Sequence, residues 1–147
     1  MPEEIRAVET LADPRYAYAC EVETASTDIR SAEQWARAVF EGAPTSLRWF
    51  IVLGWRVGLG LRLGPRRSPS YVLGWKILST RPDVIVLGVD SFLLRAQIVV
   101  RVQESRVLHA TFVRYERRPA RVVWAAAAPL HRLVIPFLLR GAAARAA

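Results

Sequence analysis

Side chains able to do acid–base, nucleophilic or metal chemistry are scarce in this chain, and the scarcity narrows what it can do. There are two histidines, His109 and His131, and one cysteine, Cys20. Beyond residue 41 only Asp83, Asp90, Glu104 and Glu116 carry carboxylates, all at or near predicted turns. A Ser–His–Asp or Cys–His site needs a nucleophile and a base brought together, and no motif here supports one. Paired-carboxylate catalysis is not expected. Two histidines on separate elements and a lone cysteine make no metal set. The glycines of Gly58-Leu59-Gly60-Leu61-Arg62-Leu63-Gly64 superficially suggest a dinucleotide loop, but Pro65-Arg66-Arg67-Ser68-Pro69 follows where a helix would have to open. No cofactor is expected.

The remaining chemistry lies on one strand. From Phe92 the chain alternates, with Phe92, Leu94, Ala96, Ile98, Val100 and Val102 on one face and Leu93, Arg95, Gln97, Val99, Arg101 and Gln103 on the other. Such alternation marks a strand buried on one side. A two-residue turn at Glu104-Ser105 pairs Gln103 with Arg106, sets Val100 opposite His109, and makes 92–117 one hairpin. The apolar face then continues through Val107, His109, Thr111, Val113 and Tyr115, so three polar-tipped side chains dot an otherwise oily surface. A small-molecule cavity wall has this pattern, and so does a core with a few satisfied polar groups. His109 there could hydrogen-bond a ligand or act as an acid or base near neutral pH.

Other elements must position that hairpin. A first strand is predicted over residues 16–25. Ser31-Ala32-Glu33-Gln34 has capping-box spacing and opens a helix ended by Gly42 and Pro44. Thr45 or Ser46 can cap a second helix running to Trp55. After a loop over 64–70, strands are predicted at Tyr71–Ser79, Val84–Val89, Phe92–Gln103 and Arg106–Arg117. Arg121–Ala125 reads as one more strand or as the beginning of the last helix; the strand is preferred, because Pro129 suits the first position of a helix and would break one begun earlier. The last helix then starts at Pro129 and turns Leu130, Leu133, Val134, Phe137 and Leu138 to the core. Ile135 and Leu139 fall on its back, a pattern suited to a homodimer contact or transient membrane docking. His131 reads as a surface or capping residue, whereas Trp55, Trp75 and Trp124 are candidates for a pocket lining.

Composition sets the outer limits. A chain of 147 residues, 52% hydrophobic and 23% charged, fits a single folded domain. The acidic start and the lone cysteine point to the cytoplasm and exclude an internal disulfide. The longest apolar stretch, Trp49 to Trp55, is far short of the roughly 20 residues a bilayer needs, so no transmembrane segment is expected. Residues 1–41 carry a net charge of −5 and residues 42–147 a net of +13, but the arginines are scattered singly, and nucleic acid is not an expected partner.

Element order and local patterns together resemble the START-like superfamily (SRPBCC; the helix-grip or polyketide-cyclase-like fold), in a bacterial branch. The patterns are Ser31-Ala32-Glu33-Gln34-Trp35-Ala36, Gly74-Trp75, Thr111-Phe112-Val113-Arg114-Tyr115 and Pro129-Leu130-His131-Arg132, and the resemblance covers roughly residues 14 to 140. It implies an α+β fold: a curved antiparallel sheet of five to seven strands wrapped around a long C-terminal helix, with two short helices after the first strand. Residues 141–147 are then an alanine-rich tail on one domain. It also implies binding of a lipid, polyketide or aromatic molecule between sheet and helix. The expected wall is Trp75, Leu94, Ile98, His109, Thr111 and Tyr115, with Phe137 from the helix. The alternatives are a cyclase or dehydratase using His109 and Tyr115 as acid and base, and a basic-surface module for membrane or nucleic acid.

Overall fold

The computed structural model describes residues 16–24, 30–42, 44–58, 60–61, 63–64, 67–91, 93–103 and 106–144. Phe92, the Glu104-Ser105 turn and the acidic start of the chain lie outside them. The architecture is α+β, a single antiparallel sheet with two short helices and one long C-terminal helix packed on its inner face. Along the chain come β1 (Tyr16–Glu23), α1 (Ala32–Phe40), α2 (Thr45–Leu53), a π turn (Gly54–Gly58), β2 (Arg67–Ser68), β3 (Tyr71–Val72), β4 (Trp75–Arg81), β5 (Val84–Asp90), β6 (Leu94–Val102), β7 (Arg106–Tyr115) and α3 (Pro119–Ala144). The spatial order is β1-β7-β6-β5-β4-β3-β2, so the first strand closes beside the last.

The hairpin has the expected register. Leu94 faces Tyr115, Ile98 faces Thr111 and Val100 faces His109, and Gln103 N donates to Arg106 O at 2.8 Å. Alternation dictates this, because a one-residue slip would turn Ile98, Val100, Val107 and Val113 out of the core.

Helix α1 also starts where its signal lies. Gln34 N donates to Ser31 Oγ at 3.2 Å and Ser31 N to Gln34 Oε1 at 2.8 Å, the reciprocal bonds of a capping box. Its buried face is Ala32, Trp35, Ala36, Val39 and Phe40. Arg30 stacks 3.8 Å above Trp35 and donates to Ala142 O at 3.1 Å, placing a cation at the C-terminal end of α3, where the helix dipole favours one. Helix α2 begins differently from expectation: Pro44 is its N-cap, with no side-chain capping bond.

Three expectations fail. The strand predicted over Tyr71–Ser79 is two strands, β3 and β4, joined by a turn at Leu73 (φ 45°) and Gly74 (φ 93°). Two successive positive φ values are the signature of the tightest hairpin turn, normally built from Asn and Gly. A buried Leu in the first position hides that signal.

Second, Arg121–Ala125 is helix. Pro119 occupies the first helical position, where its missing N–H costs nothing, and Ala125 to Ala128 are the strongest helix formers. Pro129 and Pro136 remove two internal hydrogen bonds without ending α3. Burial of Trp124, Ala128, Ile135, Leu138, Leu139 and Ala142 on one side of the helix supplies the compensation. Ala142 is fully buried, within the stretch read as a tail.

Third, the core-facing stripe of α3 is rotated. Leu138 is buried and Val134 half-buried as expected, but Ile135 and Leu139 join them in the core, whereas Leu130, Leu133 and Phe137 are exposed at 46%, 73% and 55%. The true stripe is Trp124, Ala128, Ile135, Leu138 and Ala142. A helix read from Pro129 omits its first two members and loses its phase.

Candidate apolar cavity

Helix α1 lies across β3 to β6, and α3 lies along β1 and β7. Between them remains a cavity of about 500 Å³ over the inner sheet face. Its floor is Trp75 from β4, Leu94, Ala96 and Ile98 from β6, and Thr111 from β7. Phe40 closes it from α1, Phe50 and Ile51 from α2, and Trp55 from the π turn. From α3 come Val123, Trp124, Ala127, Leu130, His131 and Val134, among others. The π turn widens the end of α2 just where Trp55 must reach Trp75, whose ring centroid is 5.6 Å away.

Among the described residues no charged side chain lines this space. Its polar groups are the Thr111 hydroxyl, the His131 imidazole and the indole N–H groups. His131 Nε2 lies 3.2 Å from Thr111 Oγ1. The ring packs against Trp124 at 5.4 Å and edge-on to Tyr18 at 5.8 Å. Burial, with a further push from the Arg132 charge, lowers the His131 pKa to about 4. The ring is therefore neutral at physiological pH, with one nitrogen donating and one accepting. Trp75 Nε1–H is buried and finds no hydrogen-bond partner among the described residues. An indole nitrogen can only donate, so it suits an acceptor brought by a guest.

Of the seven side chains expected to form the wall, Trp75, Leu94, Ile98 and Thr111 line the cavity together. The other three do not. His109 lies on the same sheet face but is only 1% exposed, flanked by Cys20 on β1 and Val100 on β6, with the Phe40 ring 5.8 Å above it. Burial, reinforced by nearby His131, lowers its pKa to about 3. Neither ring nitrogen has a side-chain hydrogen-bond partner among the described residues, and a backbone hydrogen bond at His109 itself only partly offsets the shift. Tyr115, paired with Leu94 at the end of the hairpin, is half-buried outside the cavity. Phe137 faces solvent.

His131 is the residue that sequence reasoning misplaced. It lies seven residues after Trp124, hence on the same helix face, a relation visible only when the helix begins at Pro119. Burial pushes the Cys20 thiol up to about 11, only partly offset by Arg140, which disfavours the thiolate near neutral pH.

An open groove of about 600 Å³ on the outer sheet face is lined by Lys76, Arg95, Arg114 and Asp90. Arg95 and Arg114 both contact Glu116 Oε1, at 3.2 and 2.8 Å. That groove carries charged side chains, two of them paired with Glu116, unlike the apolar space beneath α3. Among the described residues no cluster of three or more His, Cys, Asp or Glu side chains could hold a metal.

Fold and cavity together define an α+β protein with a largely apolar cavity between its sheet and its helices. No protein-family model matches the chain, and no curated protein matches it.

Proposed function

We propose that this protein binds a small, neutral, largely apolar molecule carrying at least one hydrogen-bonding oxygen. The observation that carries the reading is the cavity of about 500 Å³, walled by aliphatic and aromatic side chains, with Thr111 and His131 as its polar pair. Ligand sites commonly enclose about 300 to 1,000 Å³ with a few placed polar groups. A carboxylate or amine would lose its hydration here without an opposite charge to replace it. A carbonyl or hydroxyl would meet the Trp75 N–H and the neutral imidazole. The reading accords with the helix-grip architecture that the sequence patterns resemble. The cyclase alternative loses its support, because the acid and base it would use, His109 and Tyr115, do not line the cavity.

Titration with Nile red, an uncharged apolar fluorophore, tests this directly. Saturable binding should quench the tryptophans lining the cavity. Ala127→Phe, which fills the chamber from a partly buried helix position, should weaken binding by about tenfold or more while the circular dichroism spectrum stays unchanged. Non-saturable uptake, or saturable binding indifferent to Ala127→Phe in the folded variant, would overturn the proposal.

A further inference from the structure

The cavity opens between two helices whose outward faces are apolar. On α3, Val122, Ala126, Leu130, Leu133 and Phe137 recur at helical spacing and are all exposed. Ala126 and Leu130 of this stripe also line the cavity, so the stripe borders its mouth. On α2, Trp49, Phe50 and Leu53 are more than half exposed, and Phe50 is likewise shared with the mouth. Monomeric soluble proteins rarely leave such a contiguous patch uncovered.

Charge identifies what covers it. From Thr45 to Gly58 the chain carries Arg48 and Arg56 and no acid, and no acidic residue follows Glu116. On α3, Arg121, Arg132 and Arg140 are exposed, the first two beside the stripe and Arg140 at its C-terminal end. An apolar surface on helices whose own charged residues are all arginines matches a bilayer with anionic headgroups, where rings enter the acyl boundary and guanidinium groups stay among phosphates. A second copy of the same surface would set arginines against arginines. By length and composition Pro119–Ala143 could also cross a bilayer, at a mean hydropathy of 1.7, but its Trp124 and Leu139 face is occupied by the sheet.

We propose that the mouth of the cavity docks on anionic lipid bilayers through α2 and α3, as a peripheral contact. This surface reading stands whether or not the cavity holds a ligand.

The test is co-sedimentation of the full chain with vesicles of phosphatidylcholine, alone or mixed with phosphatidylglycerol. Binding should require phosphatidylglycerol and fall steeply as salt rises. The double variant Leu133→Ser, Phe137→Ser should bind about a hundredfold more weakly. Arg121→Gln and Arg56→Gln should each cost roughly fivefold. All these residues are exposed, so thermal melts should match wild type. Equal binding to both vesicle types would overturn the proposal. So would resistance of the bound protein to high salt and alkaline carbonate, which marks a spanning helix. A dimer by analytical ultracentrifugation that the double variant dissolves, without vesicle binding, would assign the patch to a second copy instead.

Discussion

His109 and His131 lie close together on the inner side of one sheet, yet they occupy opposite kinds of site. His109 is sealed among Cys20, Val100 and Phe40 with no side-chain hydrogen-bond partner among the described residues, whereas His131 bonds Thr111 and faces open volume. Both imidazoles are held neutral by burial. The difference arises from what lies above them: Phe40 of α1 closes over one, and the gap between α1 and α3 leaves the other beside the cavity. A buried polar residue is therefore no guide to a ligand unless space adjoins it.

The severest way to break that division is to remove its partition. Phe40 packs on His109 and also lines the cavity, so Phe40→Ala should merge the sealed side with the open one. We expect a loss of about 3 to 5 kcal/mol in urea unfolding. A loss below 1 kcal/mol would show that the two sides were already continuous.

Acid should act on both histidines at once. Each folded-state pKa is below the ordinary 6.5, at about 3 for His109 and about 4 for His131, so the unfolded chain binds the extra protons. Their contribution is complete above pH 6.5 and declines as pH falls, by about 1.4 kcal/mol per pH unit for each ring. The His131 share should level off near pH 4 and the His109 share near pH 3. Chemical denaturation across this range, with each histidine replaced in turn, separates the two. An unaltered slope in the His109→Leu variant would refute its neutral burial.

The smallest effects should differ in sign. His109→Leu removes ring nitrogens with no side-chain partner among the described residues and should be neutral or stabilising by about 1 kcal/mol, leaving Nile red affinity unchanged. His131→Leu strands the buried Thr111 hydroxyl and should cost about 1 to 2 kcal/mol. Matching losses from the two substitutions would mean that the sites are not distinct.

Legibility from the primary structure followed the strength of local signals. The capping box at Ser31 and Gln34 located α1, and the alternation of Leu94 to Val102 set the register opposite Val107 to Tyr115. Three cavity residues, Leu94, Ile98 and Thr111, could be named because strand alternation assigns faces without further information, and Trp75 because a large aromatic suits a pocket lining. The last helix resisted the same reasoning. From Val122 to Leu139 nearly every position is apolar, so several stripes compete and no hydrophobic period singles out one. Pro129, normally a helix breaker, concealed Trp124 and Ala128, the residues that would have set the phase and placed His131 inward. The turn at Leu73-Gly74 was hidden for a related reason: a buried leucine takes a conformation usually left to Asn or Gly.

By itself the sequence determined an α+β chain, the hairpin pairing, the buried face of β6 and β7, and the poverty of catalytic groups. These follow from nearest-neighbour chemistry: alternation, capping and residue type. Only the tertiary structure decided which face of α3 meets the sheet, which histidine borders the cavity, and which apolar side chains remain outside. Those outcomes depend on how α1 and α3 divide the sheet between them, and packing over that distance leaves no periodic mark in the chain.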